Sequence, residues 1–148
     1  MNLKDVVNKD CICILDENTK TEVLLKLINL VNKFEKIENI ENLTKEIFYR
    51  EQLMSTGIGM GLGIPHVRYK NIKKPIIAIG IQPNGVIDYQ SVDDKPVNIV
   101  IMILVGENQH KEHIRLLSQI VNKFKSNDIK NKILNTKDID QIYKIIIE

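Results

Sequence analysis

The sequence predicts a single-domain α/β sandwich, in which a mixed β-sheet is flanked by helices. Short runs rich in isoleucine and valine have the length and composition of buried strands, and longer segments repeat apolar residues at helical spacing. These segments follow the order strand, two helices, strands, then helices, which is typical of helices packed against a sheet. Because 148 residues is an ordinary domain length, we expect one domain spanning residues 1–148.

The first strand is predicted in CICIL, residues 11–15. Cys11 and Cys13 alternate there, and the period of a strand points both side chains to the same face. Two thiols cannot fill a four-ligand zinc site, so we expect a reduced pair in the core rather than a disulfide or a metal site. A reduced pair suits a cytoplasmic protein.

Two helices are predicted next. TKTEVLLKLINLVNKF gives the first, with Thr19 or Thr21 as its N-cap. ENLTKEIFYREQLMS gives the second, which ends near Ser55 and places Arg50 in its last turns. The predicted apolar stripes comprise Val23, Leu24, Leu27, Ile28, Leu30, Val31 and Phe34 in the first helix, and Leu43, Ile47, Leu53 and Met54 in the second.

The second half of the chain predicts two strands and three helices. PIIAIGIQ and VNIVIMILV have strand character, and the latter is apolar enough for a central strand buried on both faces. PNGVIDYQSVDDKP between them is dense in turn-forming residues and predicts a loop. Helices are predicted in HKEHIRLLSQIVNKF and around residues 129–134 and 138–147. The apolar face of HKEHIRLLSQIVNKF is predicted to hold Ile114, Leu117, Ile120, Val121 and Phe124.

Composition argues against several classes of partner. The formal net charge is +2 and the lysines are scattered, so we expect no nucleic-acid partner and no charge-driven membrane binding. The N-terminus has no apolar signal segment, and the longest apolar run, residues 99–105, is far shorter than the ~20 residues that span a bilayer. We therefore expect a cytoplasmic protein without membrane insertion.

A glycine-rich stretch, STGIGMGLGIPHVRYK, occupies residues 55–70. It is not a dinucleotide loop, because Leu62 or Ile64 stands where the third glycine is required, and it lacks the Gly-Lys-Ser/Thr of a P-loop. Alternating glycines allow close approach of another chain, and Pro65 stiffens the segment before His66. We predict that the glycines clear the approach to His66, although residue chemistry alone leaves open a tight packing corner with an incidental histidine.

The sequence HKEH offers a second candidate. His110 and His113 share a helix face and could bind a metal together with His66, as in a metal-dependent hydrolase. The spacing is not H-E-x-x-H and no carboxylate is obviously placed, so we expect no metal. The hydrolase is kept as an alternative of a different class.

Several motifs together resemble one family. REQLMSTGIGMGLGIPHVR, residues 50–68, is similar to the phosphorylation-site signature of the fructose/mannitol-type enzyme IIA domains of the bacterial phosphoenolpyruvate-dependent sugar phosphotransferase system. Those domains read RE, a short spacer, STGIG, a few small residues, then IPH. GVIDYQSVDDKPVNIVIMILV and EHIRLLSQIVNKF resemble later segments of the same domains. The resemblance covers nearly the whole chain.

The resemblance implies a phosphotransferase component with a phosphohistidine intermediate and no cofactor. It implies that His66 accepts a phosphoryl group from phospho-HPr and passes it to a cysteine of the enzyme IIB of a membrane sugar permease. It makes His113 the second active-site histidine and Arg50 the active-site cation. The hydroxyls of Ser55 and Thr56 are additional candidate donors to the phosphoryl oxygens. Nitrogen-type enzyme IIA proteins resemble this chain at the same motif, so a regulatory role, in which phosphorylation controls partner proteins, remains an alternative.

Two positions depart from the family's usual pattern. Met60 stands where many members have Asn, and Gly63 stands where they commonly have Ala. Neither change removes a reacting group, but both lie beside the predicted site and could alter its geometry.

Overall fold

The structure is a computed structural model that describes residues 2–148, and within them six strands form one mixed sheet with six α-helices packed on its two faces. The strands are β1 (Ile12–Ile14), β2 (Gly57–Gly59), β3 (Leu62–Gly63), β4 (His66–Tyr69), β5 (Ile76–Val86) and β6 (Val97–Gly106). The helices are α1 (Leu3–Val6), α2 (Lys20–Phe34), α3 (Ile40–Leu53), α4 (His110–Phe124), α5 (Asn127–Leu134) and α6 (Ile139–Ile147). The predicted fold class is confirmed.

Strand β6 lies at the centre of the sheet, as predicted. It pairs antiparallel with β5 along one edge, and along its other edge it pairs parallel first with β3 and then with β4. Strand β2 extends the sheet antiparallel to β3, and β1 extends it parallel to β5. Successive β6 residues face opposite cores, since Ile101 packs with one cluster and Met102 with the other.

Helices α2 and α3 cover the first face of the sheet. The Thr19 hydroxyl accepts from the Glu22 amide and caps α2, which selects Thr19 from the two predicted caps. In α3 the buried face is made of Leu43, Ile47 and Glu51, so the third position of the stripe is a carboxylate. The prediction that Phe34, Leu53 and Met54 belong to the apolar stripes is wrong, because these side chains are 44%, 64% and 70% exposed.

Helices α1, α4, α5 and α6 cover the second face. Helix α4 buries Leu116, Ile120 and Phe124, which recur every four residues. Ile114, predicted on that face, is 57% exposed. The three C-terminal helices otherwise lie where the periodicity places them.

The glycine-rich stretch folds into the β2–β3 hairpin. Its turn holds three consecutive residues in the left-handed region, Gly59 at φ 89°, Met60 at φ 60° and Gly61 at φ 75°. Glycine adopts this conformation freely, whereas a residue with a β-carbon is strained there. Met60 is therefore the strained member of the turn.

Two other glycines allow close packing of a distant segment. A β-carbon on Gly57 would lie 2.1 Å from the carbonyl oxygen of Gln90, and one on Gly63 would lie 2.7 Å from Cζ of Tyr89. The segment that contains Tyr89 and Gln90 thus packs directly against Gly57 and Gly63. The prediction that the glycines clear the approach to His66 is wrong for Gly57 and Gly63.

The segment before β6 is more regular than predicted. Strand β5 continues through the first four residues of PNGVIDYQSVDDKP, as far as Val86, with an irregularity in its pairing to β6 between Ile81 and Val86. The connection to β6 is thus limited to residues 87–96.

The two cysteines behave as core side chains. Both thiols are free, and both pack against the core that α2 and α3 cover. Burial raises the pKa of Cys11 and of Cys13 to about 11, so both stay protonated and unreactive near neutral pH. As for membrane spanning, none of the helices within residues 2–148 has the length and hydropathy needed to cross a bilayer.

Candidate active site

His66 is the first residue of β4 and pairs with Ile103 of the central strand. Its Nδ1 lies 2.7 Å from the carbonyl oxygen of Ile64. A carbonyl only accepts, so Nδ1 carries the proton and donates, and Nε2 carries the lone pair. The imidazole is half-buried. The local fold therefore presents His66 as a neutral ring with Nε2 as its nucleophilic nitrogen.

His113 on α4 faces His66. The two ring centroids are 4.8 Å apart and the rings meet edge to face at 69°. Nε2 of His113 is buried and has no hydrogen-bond partner among residues 2–148. An unpartnered buried nitrogen is costly, and here it lies beside the one imidazole that the strand presents as a nucleophile. This nitrogen therefore has unused hydrogen-bonding capacity in a ring that contacts His66.

Both histidines are neutral near pH 7. Burial, together with the smaller effects of the neighbouring His66, Arg68 and His110, lowers the pKa of His113 to about 4. Burial also lowers the pKa of His66, against the opposing effect of its hydrogen bond to Ile64. A neutral imidazole keeps a lone pair on one ring nitrogen, which is the form that can act as a nucleophile.

Arg50 lies in the last turn of α3, as predicted. Its Nη1 donates to the carbonyl oxygen of Met54 at 3.1 Å, which satisfies a carbonyl at the helix end. Its positive charge also adds to the effect of burial in lowering the pKa of His66. The structure therefore brings His66 and His113 into contact, and the charge of Arg50 acts on His66.

Ser55 and Thr56 precede β2, and their hydroxyls are engaged by protein groups. The Ser55 hydroxyl donates to the carbonyl oxygen of Gln90 at 2.7 Å. Thr56 is buried, and its hydroxyl donates to Glu51 at 2.8 Å. Their role as donors to a phosphoryl group stays a prediction.

Three residues behind the site were not anticipated as a group: Lys20, Glu51 and Tyr89. Nζ of Lys20 lies 3.0 Å from Oε1 of Glu51 and 4.4 Å from the centroid of the Tyr89 ring. Burial raises the pKa of the Tyr89 hydroxyl, and the charge of Glu51 raises it further. Only the position of Glu51 could have been read from the sequence, since it follows Leu43 and Ile47 at four-residue spacing on the buried face of α3.

His110 does not join a metal site. Its Nδ1 lies 3.2 Å from Nη1 of Arg68, and both side chains are exposed. Within residues 2–148, no three His, Cys, Asp or Glu side chains come together in a group that could hold a metal ion. The three histidines therefore do not form the site that the hydrolase alternative requires.

Comparisons of the sequence identify relatives of two kinds. The fructose-specific EIIABC component of Bacillus subtilis is 29% identical over 147 residues, which cover 99% of this chain and 23% of that protein. The nitrogen regulatory protein of Pseudomonas aeruginosa is 28% identical over 130 residues, 88% of this chain and 84% of that protein. The chain thus spans less than a quarter of the Bacillus protein but most of the Pseudomonas one.

Solved structures share the fold. Nitrogen regulatory protein IIA-Ntr from Neisseria meningitidis matches with a TM-score of 0.87 at 24% identity, covering 97% of this chain and 98% of that chain. Enzyme IIA mannitol from Escherichia coli matches with a TM-score of 0.78 at 20% identity, covering 95% and 98%. The same Escherichia coli protein in complex with phosphorylated enzyme IIB mannitol matches with a TM-score of 0.77 at 18% identity, covering 95% and 96%.

The family model described as "Phosphoenolpyruvate-dependent sugar phosphotransferase system, EIIA 2" matches residues 5–148. This match spans the hairpin, His66, His113 and all the strands of the sheet. The chain therefore belongs to the EIIA 2 family of the phosphoenolpyruvate-dependent sugar phosphotransferase system.

Proposed function

We propose that this chain is a cytoplasmic phosphotransfer protein that accepts a phosphoryl group from phospho-HPr on Nε2 of His66. It then passes the group to a cysteine of the enzyme IIB of a sugar permease. The observation that carries the proposal is the facing pair of imidazoles, with the lone pair of His66 on Nε2 and the buried Nε2 of His113 without a partner. Family membership and the solved complex of a related fold with phosphorylated enzyme IIB support it.

The proposed cycle is two in-line displacements at phosphorus. In the first, the lone pair on Nε2 of His66 forms the N–P bond while the bond between phosphorus and the donor atom of HPr breaks. In the second, the thiolate of the acceptor cysteine forms the S–P bond, the N–P bond breaks, and its electron pair returns to Nε2. Nδ1 keeps its proton and its hydrogen bond to Ile64 throughout. Little covalent chemistry is required beyond the nucleophile, so positioning and charge stabilisation dominate.

Arg50 and His113 supply the charge stabilisation in this proposal. The guanidinium of Arg50 donates hydrogen bonds to the phosphoryl oxygens, because its planar arrangement of N–H groups matches the geometry of a phosphoryl group. The Nε2 of His113 donates to the same group and thereby gains the partner that it lacks in the free protein. Donors fixed in place before the reaction stabilise the charge that develops in the transition state.

Phosphorylation by phosphoenolpyruvate, enzyme I and HPr tests the proposal. We expect one acid-labile phosphate per chain, none in His66→Ala, and transfer slowed about 100-fold in His113→Ala, as for loss of one transition-state donor. His110→Ala is the matched control on the same helix and is expected to transfer at the normal rate. Labelling that persists in His66→Ala would show that the nucleophile is another residue.

The second candidate function is regulatory, and the similarity to nitrogen regulatory proteins favours it. Both functions use the same phosphorylated histidine, so the identity of the acceptor distinguishes them. Rapid loss of phosphate to an enzyme IIB cysteine supports transport. A stable phosphoprotein whose affinity for a kinase or a transporter differs from that of the unphosphorylated form supports regulation.

A further inference from the structure

A buried ion pair lies behind the β2–β3 hairpin. The side chains of Lys20 and Glu51 are only 18% and 4% exposed, and Nζ of Lys20 lies 3.0 Å from Oε1 of Glu51. Two buried charges are costly unless both are paired and hydrogen-bonded, and an apolar side chain at position 51 would continue the stripe of Leu43 and Ile47. The presence of a carboxylate at position 51 must therefore be explained by the groups to which it is hydrogen-bonded.

Glu51 holds Thr56. Oε1 of Glu51 accepts from the Thr56 amide at 2.8 Å and from the Thr56 hydroxyl at 2.8 Å. That hydroxyl has only one proton, so the Tyr89 hydroxyl, 2.6 Å away, is the donor in its contact with Thr56. Lys20 neutralises the carboxylate and lies against the ring of the same tyrosine. Thr56 is thus fixed through both its backbone and its side chain.

Thr56 in turn holds the peptide that orients His66. The Ile64 amide donates to the carbonyl oxygen of Thr56 at 3.0 Å, and the Ile64 carbonyl accepts from Nδ1 of His66 at 2.7 Å. Continuous hydrogen bonding therefore runs from the ion pair through Thr56 and Ile64 to the imidazole. The direction of the Ile64 carbonyl decides which ring nitrogen of His66 keeps the proton.

We propose that Lys20, Glu51 and Tyr89 are positioning residues for His66. They fix Thr56 and Ile64 so that Nδ1 of His66 stays protonated and Nε2 stays the nucleophile. The consequence for phosphoryl transfer rests on the proposed function, whereas the control of the tautomer does not. None of the three residues contacts a reacting atom in this account.

Two nearly isosteric variants test the inference, Glu51→Gln and Tyr89→Phe. Nitrogen-15 NMR of histidine-labelled, unphosphorylated protein distinguishes protonated from unprotonated ring nitrogens. We expect wild type to show one His66 tautomer, with the proton on Nδ1, and both variants to show a mixture of the two tautomers. We expect the single-turnover rate of phosphorylation by saturating phospho-HPr to fall about tenfold in both variants, which is the effect of about one lost hydrogen bond. The KM for HPr is expected to stay unchanged. Glu46→Gln, an exposed carboxylate on the same helix, is the control and is expected to match wild type.

An unchanged His66 tautomer in folded Glu51→Gln and Tyr89→Phe overturns the inference, even if the transfer rate falls. If Glu51→Gln does not fold, Tyr89→Phe decides, because it removes one hydroxyl and keeps the ring that packs on Gly63. If wild type accepts no phosphate from HPr, the proposed function fails. The tautomer comparison still decides the positioning role in that case.

Discussion

At the scale of single residues, the site combines two neutral imidazoles with the guanidinium of Arg50. His113 is kept neutral by burial and by the neighbouring His66, Arg68 and His110, so it adds no positive charge to the resting site. A phosphoryl group on His66 would bring negative charge to this environment and favour the protonated form of His113. Under the proposed function, the buried Nε2 of His113 is then the atom that donates a hydrogen bond to the phosphoryl group.

The lowered pKa of His113 predicts an acid-sensitive stability. Its pKa falls from 6.5 to about 4 on folding, so between these pH values the unfolded chain binds a proton that the folded chain does not. The free energy of unfolding must then decrease as the pH falls through this range, by up to about 1.4 kcal/mol per pH unit from this one group. Urea unfolding of wild type and His113→Gln is expected to show a steeper loss in wild type between pH 6.5 and pH 4.

The two curves are expected to run parallel above pH 7.5, where His113 is neutral in both states, and this range is the internal control. Carboxylates titrate in both proteins and cancel in the comparison. Parallel curves through the acid range would mean that His113 titrates normally in the folded protein.

Replacing Met60 by a residue that tolerates its backbone conformation is predicted to stabilise the protein. The φ of 60° at Met60 lies in the left-handed region, which costs an L-residue roughly 1–2 kcal/mol and which asparagine tolerates better. Met60→Asn is expected to raise the free energy of unfolding by about 0.5–1 kcal/mol in urea titrations. The control is Met54→Asn, at an exposed residue with extended backbone, which is expected to change stability by less than about 0.5 kcal/mol. Equal effects at the two positions would refute the explanation from backbone strain.

At the scale of elements, the β2–β3 hairpin is the part that the sequence predicted least well. Alternating glycines indicated a bare backbone, but not that Tyr89 and Gln90 would cover it, because that contact joins segments far apart in the chain. The partners of Glu51 were similarly overlooked: its place on the buried face of α3 could be read from the helical spacing, but its contacts with Thr56 and Lys20 could not. The helices were predicted more accurately, because their apolar spacing is a local signal. Where each helix ends and which of its apolar residues stay exposed could not be predicted, because tertiary packing decides both.

A side chain at position 63 is predicted to clash with the ring of Tyr89, which covers the hairpin. A β-carbon there would lie 2.7 Å from Cζ of Tyr89, so Gly63→Ala is expected to cost about 1–3 kcal/mol of unfolding free energy. In a Tyr89→Leu background the ring is absent and most of this cost is expected to vanish. A double-mutant cycle of urea unfolding measures the difference. The same cost in both backgrounds would locate the strain elsewhere.

At the scale of the whole molecule, β6 joins the two cores and organises the site. Its pairing with β4 places His66, and the chain leaves its end to begin α4, which brings His113 back to His66. The order of elements and the central position of β6 could be predicted from hydrophobic patterns. The meeting of His66 and His113 could not, because no local pattern encodes it. The family resemblance predicted it, whereas the metal site considered for the same histidines was not expected.

Because β6 contributes to both cores, we predict that the two cores unfold together as one cooperative unit. Ile101 and Met102 are adjacent in β6 but pack into opposite cores, so a loss on either side is expected to destabilise both. Ile101→Ala and Met102→Ala are each expected to cost about 2–5 kcal/mol. Circular dichroism and NMR signals of core methyl groups on each face are expected to report one shared urea transition. Separate transitions for the two faces would contradict a single domain.

The most direct test of the central claim is the identity of the phosphorylated atom. Protein labelled with nitrogen-15 in histidine is phosphorylated through HPr, and the coupling between phosphorus and nitrogen is measured by NMR. We expect one coupled nitrogen, Nε2 of His66, with Nδ1 still protonated. A coupling to Nδ1 of His66, or to a nitrogen of another histidine, would contradict the account.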